Sequence, residues 1–322
     1  MIPFEAPVTA ALFDGAGQAM FAGGDGRVRF EGGAETEAHE GAVLCAAAHP
    51  SGEGLVTGGD DGRIVWSRPD EEPQVLADLK GKWIDALAAS PESGLIAAAA
   101  GRQALVLDAG DPHFRRTFEH ERSVSDLAFD AKGRRLACAT YGGVALWFAR
   151  IETQKPIQLK WAGSHTLVAL SPDGRFCVTA MQDNQLHGWT LPQGKDLRMG
   201  GYPAKIRSLS FCARGAVLAT SGAHGVVCWP FTGGGPGGKE AAEIGHDDSA
   251  LVVRCAGAAD QPRIAAGLND GRVWAADLRA VGLKPLRAEK GAAISALAMT
   301  SNGARVAWGD EDGLAGVGEV PA

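Results

Sequence analysis

Short apolar runs broken by turn-forming residues make up nearly the whole chain. The run SVSDLAF (123–129) leads through the turn of FDAKG (129–133) into RRLACAT (134–140), and IRSLSF (206–211) leads in the same way into the turn of FCARG (211–215). Runs of this length, rich in Val, Ile and Leu and bounded by Gly, Asp, Asn or Pro, predict β-strands joined by tight turns. Turns of the same kind stand at FDGAG (13–17), HPSGEG (49–54), SPESG (90–94), SPDG (171–174), GAADQ (257–261) and TSNG (300–303). Turn glycines at 17, 52, 94, 133, 174 and 215 follow one another at intervals of 35, 42, 39, 41 and 41 residues. The pattern is therefore an internal repeat with a period of about 40.

Within each repeat a second turn leads into a third run: GGDDGRIVW (58–66), YGGVALW (141–147), DNQLHGW (183–189), HGVVCW (224–229) and NDGRVWAAD (269–277). Asn, Asp and Gly supply the positive φ that a two-residue hairpin requires. A fourth, more polar run closes most units, as in PQVLADL (73–79), HFRRTF (113–118) and PIQLKW (156–161). Four antiparallel strands in about 40 residues match the arithmetic of a propeller blade. Strand sets are expected to start near residues 8, 43, 84, 124, 165, 206, 251 and 294. They predict one all-β domain over residues 1–322, a single propeller of four-stranded antiparallel blades, eight in number, with seven as the alternative. The last set has no fourth strand of its own, and residues 1–7 are expected to supply it and close the ring.

With these repeats in view, the chain resembles the WD40-repeat β-propeller family over essentially its whole length. The family's terminal Trp is matched at Trp66, Trp147, Trp189 and Trp229. The Asp that follows it is matched at Asp108 and Asp277, behind Leu107 and Ala276 in place of Trp. Its Gly-His pair is intact at Gly245-His246 and degraded at Ala38-His39 and Glu119-His120. The resemblance implies a structural tetrad of histidine, strand hydroxyl, turn aspartate and tryptophan. Its best match is His39, Thr57, Asp61 (or its neighbour Asp60) and Trp66.

Composition narrows the function classes. Glycine reaches 45 of 322 residues, roughly twice ordinary usage, without a collagen period. The net charge is −7, and the only basic clusters are pairs such as Arg115-Arg116 and Arg134-Arg135, so no nucleic-acid partner is expected. No run reaches the length of a membrane span, and the N-terminal stretch does not read as a signal peptide. The six cysteines are far apart and sit in apolar runs, as expected of reduced thiols in a cytoplasmic protein.

Candidate chemistry is sparse. Gly233, Gly238 and Lys239 fit a phosphate-binding GxxxxGK, but Glu240 stands where Ser or Thr should follow, and the strand before it belongs to a hairpin. The eight histidines form no HxxxH or HxxE pair. No GxSxG elbow is present. Turn carboxylates such as Asp60-Asp61 and Asp310 to Asp312 have turn formation as their ordinary explanation. A non-catalytic scaffold or adaptor is therefore expected, monomeric on its own, without cofactor or resident metal, presenting one loop face to a protein partner. Trp83, Arg122, Tyr141, Trp161, His165, Tyr202, Lys205, Arg207 and His224 map to loops on that face, and aromatics and arginine are the usual interface anchors. The alternative is a metal ion or small ligand near the central channel on the same face, with His224 and the loop of His246 as its nearest histidines.

Overall fold

The computed structural model describes residues 1–321. The turn glycines of the repeat take the conformation their spacing demands: Gly17, Gly52, Gly94, Gly133, Gly174 and Gly215 all have φ between 60° and 84°, a region in which a side chain is strained. The apolar runs on either side pair as antiparallel strands, and their inward residues are buried; Leu95–Ala100 is enclosed along its whole length.

Hydrogen bonding groups the strands into seven sheets, which corrects the expected eight blades in favour of seven. Four strands each form the first sheet (Val8–Phe13, Ala19–Gly23, Arg27–Phe30, Glu35–Glu37), the second (Val43–Ala48, Leu55–Gly59, Arg63–Ser67, Gln74–Asp78) and the third (Ala86–Ser90, Leu95–Ala100, Gln103–Asp108, Asp111–Glu119). The fourth sheet has six: Asp126–Phe129, Arg135–Phe148, Ile157–Leu170, Phe176–Met181, Leu186–Thr190 and Asp196–Met199. The fifth (Leu209–Cys212, Val217–Thr220, Val226–Pro230, Ala242–Ile244) and sixth (Val252–Gly257, Arg263–Leu268, Val273–Asp277, Lys284–Arg287) return to four. The seventh joins Ile294–Met299, Arg305–Asp310 and Leu314–Glu319 to Ile2–Pro3.

The departure from eight has a local cause. The YGG stretch at 141–143 turns the chain as its composition predicts, with Gly142 and Gly143 at φ 94° and 137° and Ala149 N donating to Arg134 O at 2.9 Å, but Tyr141 at its tip also pairs with Ser164, and Gly143 with Lys160. Strand pairing therefore continues through the bends, and Arg135–Phe148 and Ile157–Leu170 each form one 14-residue element. The near half of Arg135–Phe148 pairs with Asp126–Phe129 and its far half with Ile157–Leu170, whose own far half pairs with Phe176–Met181. Two anticipated strand sets, those beginning near 124 and 165, are thus welded into one sheet that turns two strands toward the middle. Gly143 at φ 137° makes the weld possible, because a Cβ there would collide with Leu159 O.

The ring is closed. Innermost strands touch in the order Val8–Phe13, Val43–Ala48, Ala86–Ser90, Asp126–Phe129, the far half of Ile157–Leu170, Leu209–Cys212, Val252–Gly257, Ile294–Met299, and back to Val8–Phe13. Ile2 pairs with Ala315 and Pro3 with Leu314, so the two ends of the chain share one sheet and cover its edge. Side chains on or just before the innermost strands latch onto the backbone of the next set. Cys45 Sγ donates to Ile84 O at 3.1 Å, Asp126 Oδ2 accepts from Val168 N at 2.7 Å, Ser208 Oγ accepts from Cys255 N at 3.0 Å, and Ser295 Oγ donates to Val8 O at 2.6 Å. Apolar clusters fill the space between sheets; one joins Val56 and Ile64 of the second to Ile84 and Ile96 beside the third. The result is a rigid ring that holds its loops in fixed positions.

Candidate functional site

The turns between second and third strands, and the connections into the next set, lie at one end of the sheets. Buried polar groups fasten them. His39 Nδ1 meets Asp61 Oδ1 at 3.0 Å and its Nε2 meets Thr57 Oγ1 at 2.8 Å, while Thr57 Oγ1 contacts Val65 O at 3.3 Å. Burial pushes the Asp61 carboxyl up, but the amides of Arg63 and Glu40 and the His39 ring outweigh it and leave it below the usual carboxylate range. Trp66, the fourth residue of the implied tetrad, lies elsewhere. Its Nε1 donates to Glu53 O at 2.9 Å, at the opposite end of the sheet, and its ring stacks on His49.

Other sheets fasten the same end with other residues. In the fifth, Trp229 Nε1 donates to the Tyr202 phenol at 2.7 Å, the phenol meets Thr220 Oγ1 at 2.7 Å, and Thr220 donates to Val227 O at 3.0 Å. In the fourth, His165 Nδ1 lies 2.7 Å from Thr179 Oγ1 and its Nε2 3.0 Å from Trp161 O. Trp147 Nε1 donates to His120 Nε2 at 3.0 Å, and burial lowers the His120 pKa, in keeping with a neutral, accepting ring. Tyr202 is 8% exposed and His165 0%, which removes both from the contact surface expected of them. Each follows a glycine-containing connection, and each turns its ring back under the loop to reach a second-strand hydroxyl.

Of the remaining surface candidates, Trp161 and His224 are half-buried. Trp161 stacks on His187 at 4.0 Å with the Arg198 guanidinium 4.4 Å from its centroid, and His224 Nδ1 donates to Ala250 O at 2.9 Å. Trp83, Arg122, Tyr141, Lys205 and Arg207 are exposed. Trp83, at 65%, borders a cleft of about 410 Å³ with Lys82, Asp85, Gln103 and Glu119. Tyr141, at 63%, borders one of about 550 Å³ with Arg122, Ser123, Ser125 and Ser164. Between the clefts runs the 119–124 connection, fixed by Val124 N donating to Gly101 O at 2.8 Å. Two aromatic-rimmed clefts therefore adjoin on the third and fourth sheets. Lys205 and Arg207 sit apart, on the connection into the fifth.

Sequence reading missed the floor of the Trp83 cleft, where Gln103 bridges Lys82 and Glu119 through its side-chain amide. The signal was the cross-strand register that sets Gln103 opposite Glu119, visible only once the strands are paired. The phosphate-loop look-alike closes on itself, with Lys239 Nζ bonded to Thr232. His246 engages Glu243 at 3.2 Å and Asp248 at 3.0 Å. Among the described residues no three His, Cys, Asp or Glu side chains converge as metal ligands, and no helix is long and apolar enough to cross a membrane.

The family model of the WD domain, G-beta repeat, matches residues 34–66, the stretch that holds His39, Thr57, Asp61 and Trp66. No curated protein matches the chain. The matched unit and the remaining sheets share one plan, with strand pairing, turn glycines and loop fasteners recurring around a closed ring. A unit matching the WD domain, G-beta repeat, thus sits within a closed β-propeller of seven sheets.

Proposed function

We infer that this propeller is a non-catalytic interaction scaffold that holds a protein partner on the loop face around Trp83 and Tyr141. WD40 propellers generally serve as protein-interaction scaffolds. The observation that carries the reading is the pairing of two aromatic side chains, 65% and 63% exposed, over adjoining clefts on one rigid face. Large exposed aromatics are costly in water unless something covers them, and Trp, Tyr and Arg are the residues that anchor interfaces. Arg122 beside Tyr141 adds a cation to the rim, and Lys205 and Arg207 extend the face toward the fifth sheet. The partner is a protein rather than nucleic acid or membrane, and the chain acts as a monomer. A cytoplasmic setting is supported by its six unpaired thiols.

The test is affinity capture from the source cell's lysate with wild type and a Trp83→Ala/Tyr141→Ala double variant of matched melting temperature. A protein held by wild type and lost by the variant supports the reading. Proteins held equally by both refute it.

A further inference from the structure

The opposite end of the ring, where first and second strands are joined, carries an apolar and basic ridge of its own. Phe148 and Ile151 are 45% and 49% exposed there. They border a cleft of about 600 Å³ whose other lining includes Glu92, Lys132, Arg134 and Arg150. A neighbouring cleft of about 370 Å³ shares Phe148, Lys132 and Arg134, so these three side chains form the divide between the two.

The ridge is held in place before any partner arrives. The Gln154 side chain accepts from Phe148 N at 2.9 Å and donates to Phe148 O at 2.8 Å and Ile151 O at 2.7 Å. Arg150 is committed to the fold, donating to Asp108 at 2.6 Å and Ser93 O at 2.9 Å. Lys132 and Arg134 differ: among the described residues neither side chain has an ion-pair or hydrogen-bond partner. Carboxylates of the second cleft are already engaged, Asp130 by Arg135 and Asp173 by Arg175, which leaves Glu92 as the one lining carboxylate without a cation. In a chain of net charge −7, this spot has uncommitted positive charge beside exposed apolar surface.

We propose that this ridge docks an extended acidic segment of a partner protein. An apolar side chain of the segment packs against Phe148 and Ile151, and flanking carboxylates pair with Lys132 and Arg134. The charges select the acidic sequence and speed encounter, and the aromatic anchor on a rigid loop limits the ordering cost of binding. The site lies at the other end of the ring from Trp83 and stands independently of the function proposed for that face.

The experiment selects random heptapeptides displayed on phage against the full chain. The most enriched peptide, fluorescently labelled, is then titrated onto wild type, Phe148→Ala, Arg134→Glu and Trp83→Ala proteins of equal melting temperature. The proposal expects enriched peptides with Asp or Glu flanking an apolar residue. They should bind wild type and Trp83→Ala alike, and bind Phe148→Ala or Arg134→Glu at least about tenfold more weakly. It is overturned if no peptide is enriched, if acidic residues are not favoured, or if neither ridge variant weakens binding. Equal binding by a peptide whose apolar residue is changed to Gly also overturns it, since the ridge would then be a general polyanion surface. Loss of binding in Trp83→Ala would move the peptide to the other face and overturn it as well.

Discussion

In the second sheet the hydroxyl of Thr57 meets an imidazole that a carboxylate holds in place. In the fifth, the hydroxyl of Thr220 meets a phenol that takes its other bond from an indole. Both hydroxyls also contact a carbonyl on the third strand, at Val65 and Val227. The fixed element is a buried threonine on the second strand. The ring that reaches it from the connecting loop can be His or Tyr, provided that ring is itself fixed. A family signature built on histidine and aspartate thus marks one solution to a general requirement, that a buried polar group must be paired.

The largest effect expected from breaking this comparison is at His39. His39→Ala leaves the Thr57 hydroxyl and the Asp61 carboxylate without their shared partner and opens a cavity, a loss of about 3 kcal/mol; thermal or urea unfolding measures it. Tyr202→Phe keeps the ring and removes only the oxygen, stranding Trp229 Nε1 while the Thr220 hydroxyl keeps Val227 O, for about 1–2 kcal/mol. If Tyr202→Phe costs as much as His39→Ala, the phenol is more than a fastener and the equivalence of the two sheets fails.

A third expectation extends the comparison to the latches between innermost strands. Asp126 accepts from Val168 N, and burial pushes its carboxyl up to about 7. With the folded pKa above the unfolded one, the folded state binds the proton more tightly. Stability is then fullest below about pH 4 and falls as pH rises toward 7. Asp126→Asn, which retains an acceptor for Val168 N, should match wild type at pH 4 and exceed it at pH 8. An equal difference at both pH values would show that ionisation at Asp126 plays no part. The smallest effect is expected at Trp66. Trp66→Phe preserves the stack on His49 and removes a bond to Glu53 O at the sheet's far end, for less than about 0.5 kcal/mol. A loss comparable to that of His39→Ala would place Trp66 in the His39 network after all.

The repeat itself was legible because it rests on local chemistry. Turn glycines at a fixed spacing have positive φ in the structure, and apolar runs on either side become strands. His39, Thr57 and Asp61 could be chosen for the same reason, since their spacing follows the strands. The weld in the fourth sheet was not legible: YGG at 141–143 has turn composition and does turn, and only the pairing of Tyr141 with Ser164 joins it to the next set. Tyr202 and His165 were misplaced for a related reason. Loop residues carry no periodicity, so nothing in their sequence separates a ring pointing to solvent from one tucked beneath the backbone. Trp83 and Tyr141 met the same ambiguity and project outward.

The most direct test of the central claim, that the Trp83 and Tyr141 face holds a protein partner, is site-specific photocrosslinking. A benzophenone side chain is placed at position 83, 141 or 281 in separate full-length proteins and irradiated in the source cell's lysate. Position 281, occupied by the fully exposed Val281 on a loop at the other end of the sixth sheet, serves as the reference. The account predicts one discrete adduct of the same mass from positions 83 and 141 and none from 281. Adducts that are equal at all three positions, or missing from 83 and 141, would contradict it.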